Sequence, residues 1–338
     1  MNKLLKTIFQ YFIFFGLGAF FVWLSLKTLN KEKIDQIKIA IREARQWMII
    51  PVFFLLFLSH YLRALRWRLL MEPMGYMPSK ANAFFAVMIG YLTNQAVPRL
   101  GEVLKCTVLA RYEKIPADKL IGTIIIERII DAITLLFVFG ITLVIQPNLY
   151  SDIINALFNQ SKNQEEKKGN GLIYTMIVIG IILIIIALWM IIKKKTFKDL
   201  ISVFKKVSQR IVLGISSVRK LKKSGLFFLL TFCIWTIYLL GGYMGFLAMQ
   251  DTQQYGIREA FTVLSAGSIG MVASPGGIGA YALLIQQTMQ LYGLNEVIAL
   301  AFGWILWMAQ TAVVLIGGLF SFLAIPYYNK KRKQVEKT

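Results

Sequence analysis

Five charged residues stand inside otherwise apolar sequence. Arg99 and Glu102 lie in NQAVPRLGEVLK, residues 94–105, and Glu127, Arg128 and Asp131 lie in IIIERIIDAI, residues 124–133. A charge in apolar surroundings is costly, so such residues are paired with one another or used on a ligand. Glu127 and Asp131 are four apart and share a helical face, with Arg128 near both. Two readings stand side by side. In one, Arg99 and Arg128 neutralise Glu102, Glu127 and Asp131. In the other, the forked guanidiniums of Arg99 and Arg128 hold phosphate, and Glu102 and Glu127 position them or titrate. Glu127 and Arg128 also lie within snorkelling reach of a membrane face.

The backbone around these residues adds to the second reading. Pro98 cannot donate to a helical ladder, and Gly101 tolerates the dihedrals of a chain reversal. A half-helix starting after Pro98–Gly101 aims its first amides and its dipole at the break, which suits an anion. SPGGIGAY, residues 274–281, is a second breaker cluster with Pro275, Gly276, Gly277 and Gly279. It offers a nest of amides without a charge. A phosphate-headed lipid is the ligand such a site suits inside a bilayer. In RALRWR, residues 63–68, Arg63, Arg66 and Arg68 read as an interface anchor that also receives lipid phosphates at the cytoplasmic mouth.

The elements that position these residues follow from composition. The 338 residues are 57% hydrophobic and only 16% charged, too apolar for an ordinary soluble domain. Apolar runs of about 20 residues recur, the length of a membrane-crossing helix. The expected fold is an all-α polytopic membrane protein of about six full spans plus two re-entrant helical hairpins. The net charge of +21 gathers at the ends of apolar runs. It therefore reads as membrane topology and attraction to anionic lipids at the cytoplasmic face, not as nucleic-acid binding. Cys106 and Cys233 give no disulfide framework and the lone His60 no metal site, and no cofactor is expected.

Along the chain, residues 1–46 read as a first span, about 8–26, and an interfacial amphipathic helix. Residues 47–146 form a first repeat: a span over 47–65, a hairpin over 82–110 and a span over 119–146. Residues 147–224 hold a polar loop, a span over 171–192 and a basic amphipathic segment. Residues 225–324 form a second repeat with a hairpin over 260–293, and 325–338 form a basic tail. With 82–110 entering and leaving on one side, 26 basic residues fall on the cytoplasmic side and ten on the other. Treated as a full crossing, 82–110 moves the 11-charge segment at 193–223 outside and breaks that bias. The second hairpin then enters from the opposite face, which makes the two halves an inverted-topology repeat of the kind found in transporters. Two kinked ordinary crossings are the alternative. The expected place is the cell inner membrane, multi-pass, with both termini cytoplasmic.

RxxRWRLL at 63–70, NxxxPxxGE at 94–102, ER with an Asp at 127–131 and SPGGIG at 274–279 together resemble the lysylphosphatidylglycerol synthase transmembrane, or flippase-like, family. The matching positions are Arg66, Arg68, Asn94, Pro98, Arg99, Gly101, Glu102, Glu127, Arg128, Pro275, Gly276, Gly277 and Gly279. The resemblance implies movement of lipid between leaflets rather than aminoacylation, since no transferase domain follows the membrane part. It also brings Asn94 into the candidate site. Two departures stand out. Ala282 replaces an acidic residue usual after the second cluster, and GWILWMAQ, residues 303–310, lacks an arginine common in the last span.

The expectation is a lipid flippase or transporter. Its substrate is a phospholipid, an aminoacyl-phospholipid or a polyprenyl-phosphate carrier, bound between two hairpin tips. A membrane-embedded lipid synthase and a membrane subunit of a separately encoded transferase are the alternatives. The sequence holds no recognisable catalytic set.

Overall fold

The computed structural model describes residues 16, 19–24, 27, 30–97, 100–146, 218 and 221–335. The chain divides into two compact units, Met1–Thr142 with Ser217–Thr338, and Leu143–Ser216. The second lies almost wholly outside the described residues. So do most of the expected first span, the polar loop, the span at 171–192 and most of the basic segment.

All described elements are helical. The α-helices, in chain order, are α1 (Lys31–Glu43), α2 (Ile49–Met71), α3 (Lys80–Ala96), α4 (Leu100–Glu113), α5 (Ala117–Ile145), α6 (Ser224–Ala248), α7 (Ile257–Ala273), α8 (Ala280–Leu291) and α9 (Glu296–Val335). Three of them are long and apolar enough to cross a membrane: α5, α6, and α9 as far as Arg332. The expected span at 47–65 falls largely in α2, which is not one of these three and whose second half carries Arg63, Arg66 and Arg68. The expected basic tail is not a separate segment, because α9 runs on through Pro326 to Val335.

Local chemistry sets several helix starts. The Asn30 side chain accepts from the Lys33 amide and opens α1. Ser79 does the same for the Asn82 amide and opens α3. α1 is not purely interfacial: Ala40 is buried, and Ile37 and Ala44 pack with it on the core of the second half.

Two apolar cores correspond to the two halves. Trp67, Met71, Met88, Leu109 and Leu120 anchor one, between α2, α3, α4 and α5, with Phe227 of α6. Phe246, Ile285, Met289 and Phe302 anchor the other, between α6, α7, α8 and α9. Each half thus reads helix, helix pair, helix. α2 and α6 run antiparallel: Leu56 lies against Gly241, Arg63 against Tyr238 and Arg66 against Thr231.

α3 and α4 fold back on each other at very short range. A Cβ on Gly90 would come within 2.9 Å of the Gly101 carbonyl oxygen, and one on Gly101 would collide with the Gly90 carbonyl. Gly101 is therefore required for close approach. It is not among the residues with positive φ, so the dihedral freedom expected of it is not what this position uses. The second pair is equally tight, since a Cβ on Gly270 would sit 2.6 Å from the Tyr281 Cα. Its break is built as expected: Gly276, Gly277 and Gly279 all have positive φ, at 58°, 72° and 73°.

Candidate functional site

Arg63 and Arg66 are three apart on α2, and Glu127 and Asp131 four apart on α5. Each pair therefore presents one face, and the two faces meet. Arg63 Nη1 lies 2.6 Å from Asp131 Oδ2 and Arg66 Nη2 lies 2.7 Å from Asp131 Oδ1. Glu127 takes Lys105 Nζ at 2.8 Å on one oxygen, with Arg66 at 3.4 Å and Arg63 at 3.7 Å on the other. α6 completes the shell. Tyr238 accepts from Arg63 Nε at 3.1 Å, and Thr231 accepts from Arg66 Nη1 at 3.3 Å. The Lys105 ammonium also sits 4.0 Å from the Trp67 ring centre, a cation–π contact. The Trp67 indole donates to Thr123.

These five charges are inside the protein. Arg66 and Glu127 have fully buried side chains, and Asp131 is 12% exposed. That corrects the expectation that Arg63 and Arg66 meet lipid headgroups. Their spacing turns them toward the acids of α5, and both guanidiniums are engaged there. Arg68 also points to protein, with Nε donating to the Pro78 carbonyl at 2.6 Å. Lys105 was not foreseen as a partner. It lies on α4, 22 residues before the Glu127 it meets, so no local spacing signals the pair.

A sixth and seventh charge lie at the edge of this cluster and remain accessible. Arg128 Nε is 3.2 Å from Glu102 Oε1, and the two side chains are 43% and 37% exposed. Arg128 also reaches within 4.0 Å of Asp131. Arg63, Arg66, Lys105 and Arg128 against Glu102, Glu127 and Asp131 leave one net positive charge among the described residues. Pro98 and Arg99 lie outside them.

Asn94 is structural at its own position. Its Oδ1 accepts from the Gly101 amide at 2.9 Å, stitching α3 to the first turn of α4 across the break. That amide was expected to face an anion and is already used. The second break is likewise bonded internally. Gly277, Ile278 and Ala280 donate their amides to Ser274, Pro275 and Ile278 carbonyls. The expected nest of free amides is therefore reduced by three.

The end of α3 meets the second break. A Cβ on Gly276 would collide with the Gln95 side-chain oxygen. From the other side, Trp307 Nε1 donates to the Gly276 carbonyl at 2.8 Å. Around this contact the second half is neutral and aromatic. Gln310 donates to the Tyr281 hydroxyl at 2.9 Å, and Trp304 and Trp307 stand edge to face at 5.4 Å. Ala282 packs on the backbone of Gly303, where even a Cβ would fall 2.8 Å from its Cα. The place of the missing acid is filled by helix contact. Among the described residues no group of three His, Cys, Asp or Glu side chains could hold a metal ion.

Comparison with known proteins follows the same lines. The family model described as the lysylphosphatidylglycerol synthase TM region matches residues 9–318. A UPF0104 membrane protein of Methanocaldococcus jannaschii is 27% identical over 120 residues, which is 35% of this chain and 35% of that protein. The matched stretch thus spans about a third of that relative's length. No solved structure matches.

Proposed function

The chain belongs to the lysylphosphatidylglycerol synthase TM-region family, and from that premise we propose that it moves a phosphate-bearing lipid between membrane leaflets. The lipid is a phospholipid, an aminoacyl-phospholipid or a polyprenyl phosphate. It binds where the two helix breaks meet.

The observation that carries this reading is the contact of Gln95 with Gly276, next to Asn94, whose Oδ1 holds the Gly101 amide that precedes the accessible Glu102 of the Arg128–Glu102 pair. In this reading the pairs α3–α4 and α7–α8 are re-entrant hairpins entering from opposite faces, among six full spans. Broken backbone is tolerated at membrane depth only where protein or a cavity surrounds it. The antiparallel run of α2 and α6 supports an inverted repeat. The charge bias along the chain supports cytoplasmic termini in the cell inner membrane.

Chemically, the lipid phosphate exchanges for Glu102 on Arg128, with Arg99 three residues before Glu102 in sequence. A guanidinium binds a phosphate by two parallel charge-assisted bonds. The buried cluster behind it supplies a fixed platform with one net positive charge. Those five charges stay engaged with one another, so only the exposed pair changes partner. Motion of the two halves about the meeting point then carries the headgroup across.

Native mass spectrometry of the purified protein tests this directly. The wild type should carry a phosphate-headed lipid, and Arg128→Ala should lose it while remaining folded. Equal lipid occupancy in both would overturn the assignment of Arg128. A bound lipid that is chemically altered would favour a membrane-embedded synthase. A co-purifying transferase would favour a membrane subunit.

A further inference from the structure

A second polar network lies at the end of the α3–α4 pair remote from its break. Glu113, the last residue of α4, accepts three bonds on one oxygen. They come from the Ser79 amide at 3.1 Å, Asn82 Nδ2 at 2.5 Å and Arg332 Nη1 at 2.9 Å. Asn82 and Asn329 exchange amide bonds reciprocally at 2.9 and 2.7 Å, and Asn329 also donates to the Ile325 carbonyl. Asn82 is fully buried, and Asn329 is nearly so. Arg332 is the exposed end, with 39% of its side chain accessible.

This network joins α3 and α4 of the first half to α9 of the second. Above it the same seam is apolar: Gly317 lies against Met88, and Gly318 against Leu92. The polar grip is thus concentrated at one end. The corresponding seam elsewhere is α5 against α7, the last helix of the first half against the first pair helix of the second. Among the described residues its polar contacts are a Thr142–Ser265 hydroxyl pair at 3.1 Å and a Thr142 bond to the Phe261 carbonyl. One seam is held by a buried charge and paired amides, the other by hydroxyls.

We infer that Glu113, Asn82, Asn329 and Arg332 form a releasable latch between the two halves. It holds the seam shut on the side where α9 ends, and it opens when Arg332 leaves Glu113. The inference rests on the transporter reading, because a latch between halves needs halves that move. Asn82 precedes Asn94 by 12 residues, roughly 18 Å of helix. With the breaks at mid-membrane, that places the latch near the edge of a hydrocarbon core about 30 Å thick. The exposed guanidinium is then reachable from the cytoplasm. A fully satisfied polar network in low dielectric is strong, and it weakens as a unit when one member is withdrawn.

The test needs no lipid substrate. Ser321 on α9 is fully buried, and its hydroxyl lacks a hydrogen-bond partner. Ser321→Cys, in a Cys106→Ala, Cys233→Ala background, therefore places a thiol on α9 between the Gly317–Gly318 stretch and Asn329. Labelling by a membrane-impermeant maleimide is followed in vesicles of each orientation. Slow labelling is expected with the latch intact. Arg332→Ala should raise the rate roughly tenfold, from the cytoplasmic face alone. Glu113→Gln is the second variant. It keeps an oxygen for Ser79 and Asn82 and removes the Glu113 charge that Arg332 bonds, and it should give the same result. Unchanged rates in a folded Glu113→Gln protein overturn the latch. Equal acceleration from both faces marks general loosening and also overturns it. A protein that carries no lipid but labels as expected would sink the lipid assignment and leave the moving halves and their latch standing.

Discussion

The Gln95 side chain of the first helix pair occupies the space that a Cβ on Gly276 of the second would need. The end of α3 and the Pro275–Gly277 break, 181 residues apart at the contact, touch each other. That contact places the neutral, tryptophan-lined turn of the second half against the end of α3, where Asn94 also holds the Gly101 amide, next in sequence to Glu102.

Gly276→Ala should therefore be doubly unfavourable. Its φ of 58° is strained for any side chain, and the added methyl strikes Gln95. Thermal unfolding in detergent should show a clear loss, about 1–3 kcal/mol if the strain alone persists. Gln95→Ala in the same protein should restore only the steric part.

Glu127→Gln should destabilise strongly, by about 3–5 kcal/mol, because three cations lose a buried counter-charge. Adding Lys105→Met removes one orphaned cation. The double variant should be more stable than the sum of the single changes, with a coupling of about 0.5–3 kcal/mol. Strict additivity in a thermal or chemical unfolding cycle would show that the pair is not coupled.

Asn94→Ala should cost about 1–3 kcal/mol by leaving the Gly101 amide without its acceptor. Gly101→Ala should be worse, since its methyl meets both the Gly90 carbonyl and Asn94. Proteolysis near the break, compared between the two variants, reports this order.

The fold was legible where residues carry a backbone requirement. Pro275, Gly276, Gly277 and Gly279 announced a chain break, and three positive φ values account for it. The pairing of charges was less legible. Glu127 and Asp131 were visible as acids sharing a face, but their partners come from α2 and α4, distant in sequence. RALRWR looked like an anchor because a basic cluster at a span end usually is one. Only packing shows that Arg63 and Arg66 turn inward while Arg68 bonds to Pro78. Gly101 suggested a turn and serves close approach instead, a distinction that depends on Gly90, eleven residues earlier.

The claim that Arg128 carries lipid phosphate is tested most directly by translocation of a fluorescent phospholipid in reconstituted vesicles. The wild type should move lipid between leaflets, Arg128→Lys should move it more slowly, and Arg128→Ala should fall to the protein-free rate while keeping its thermal stability. Translocation by a folded Arg128→Ala protein at the wild-type rate would contradict the account.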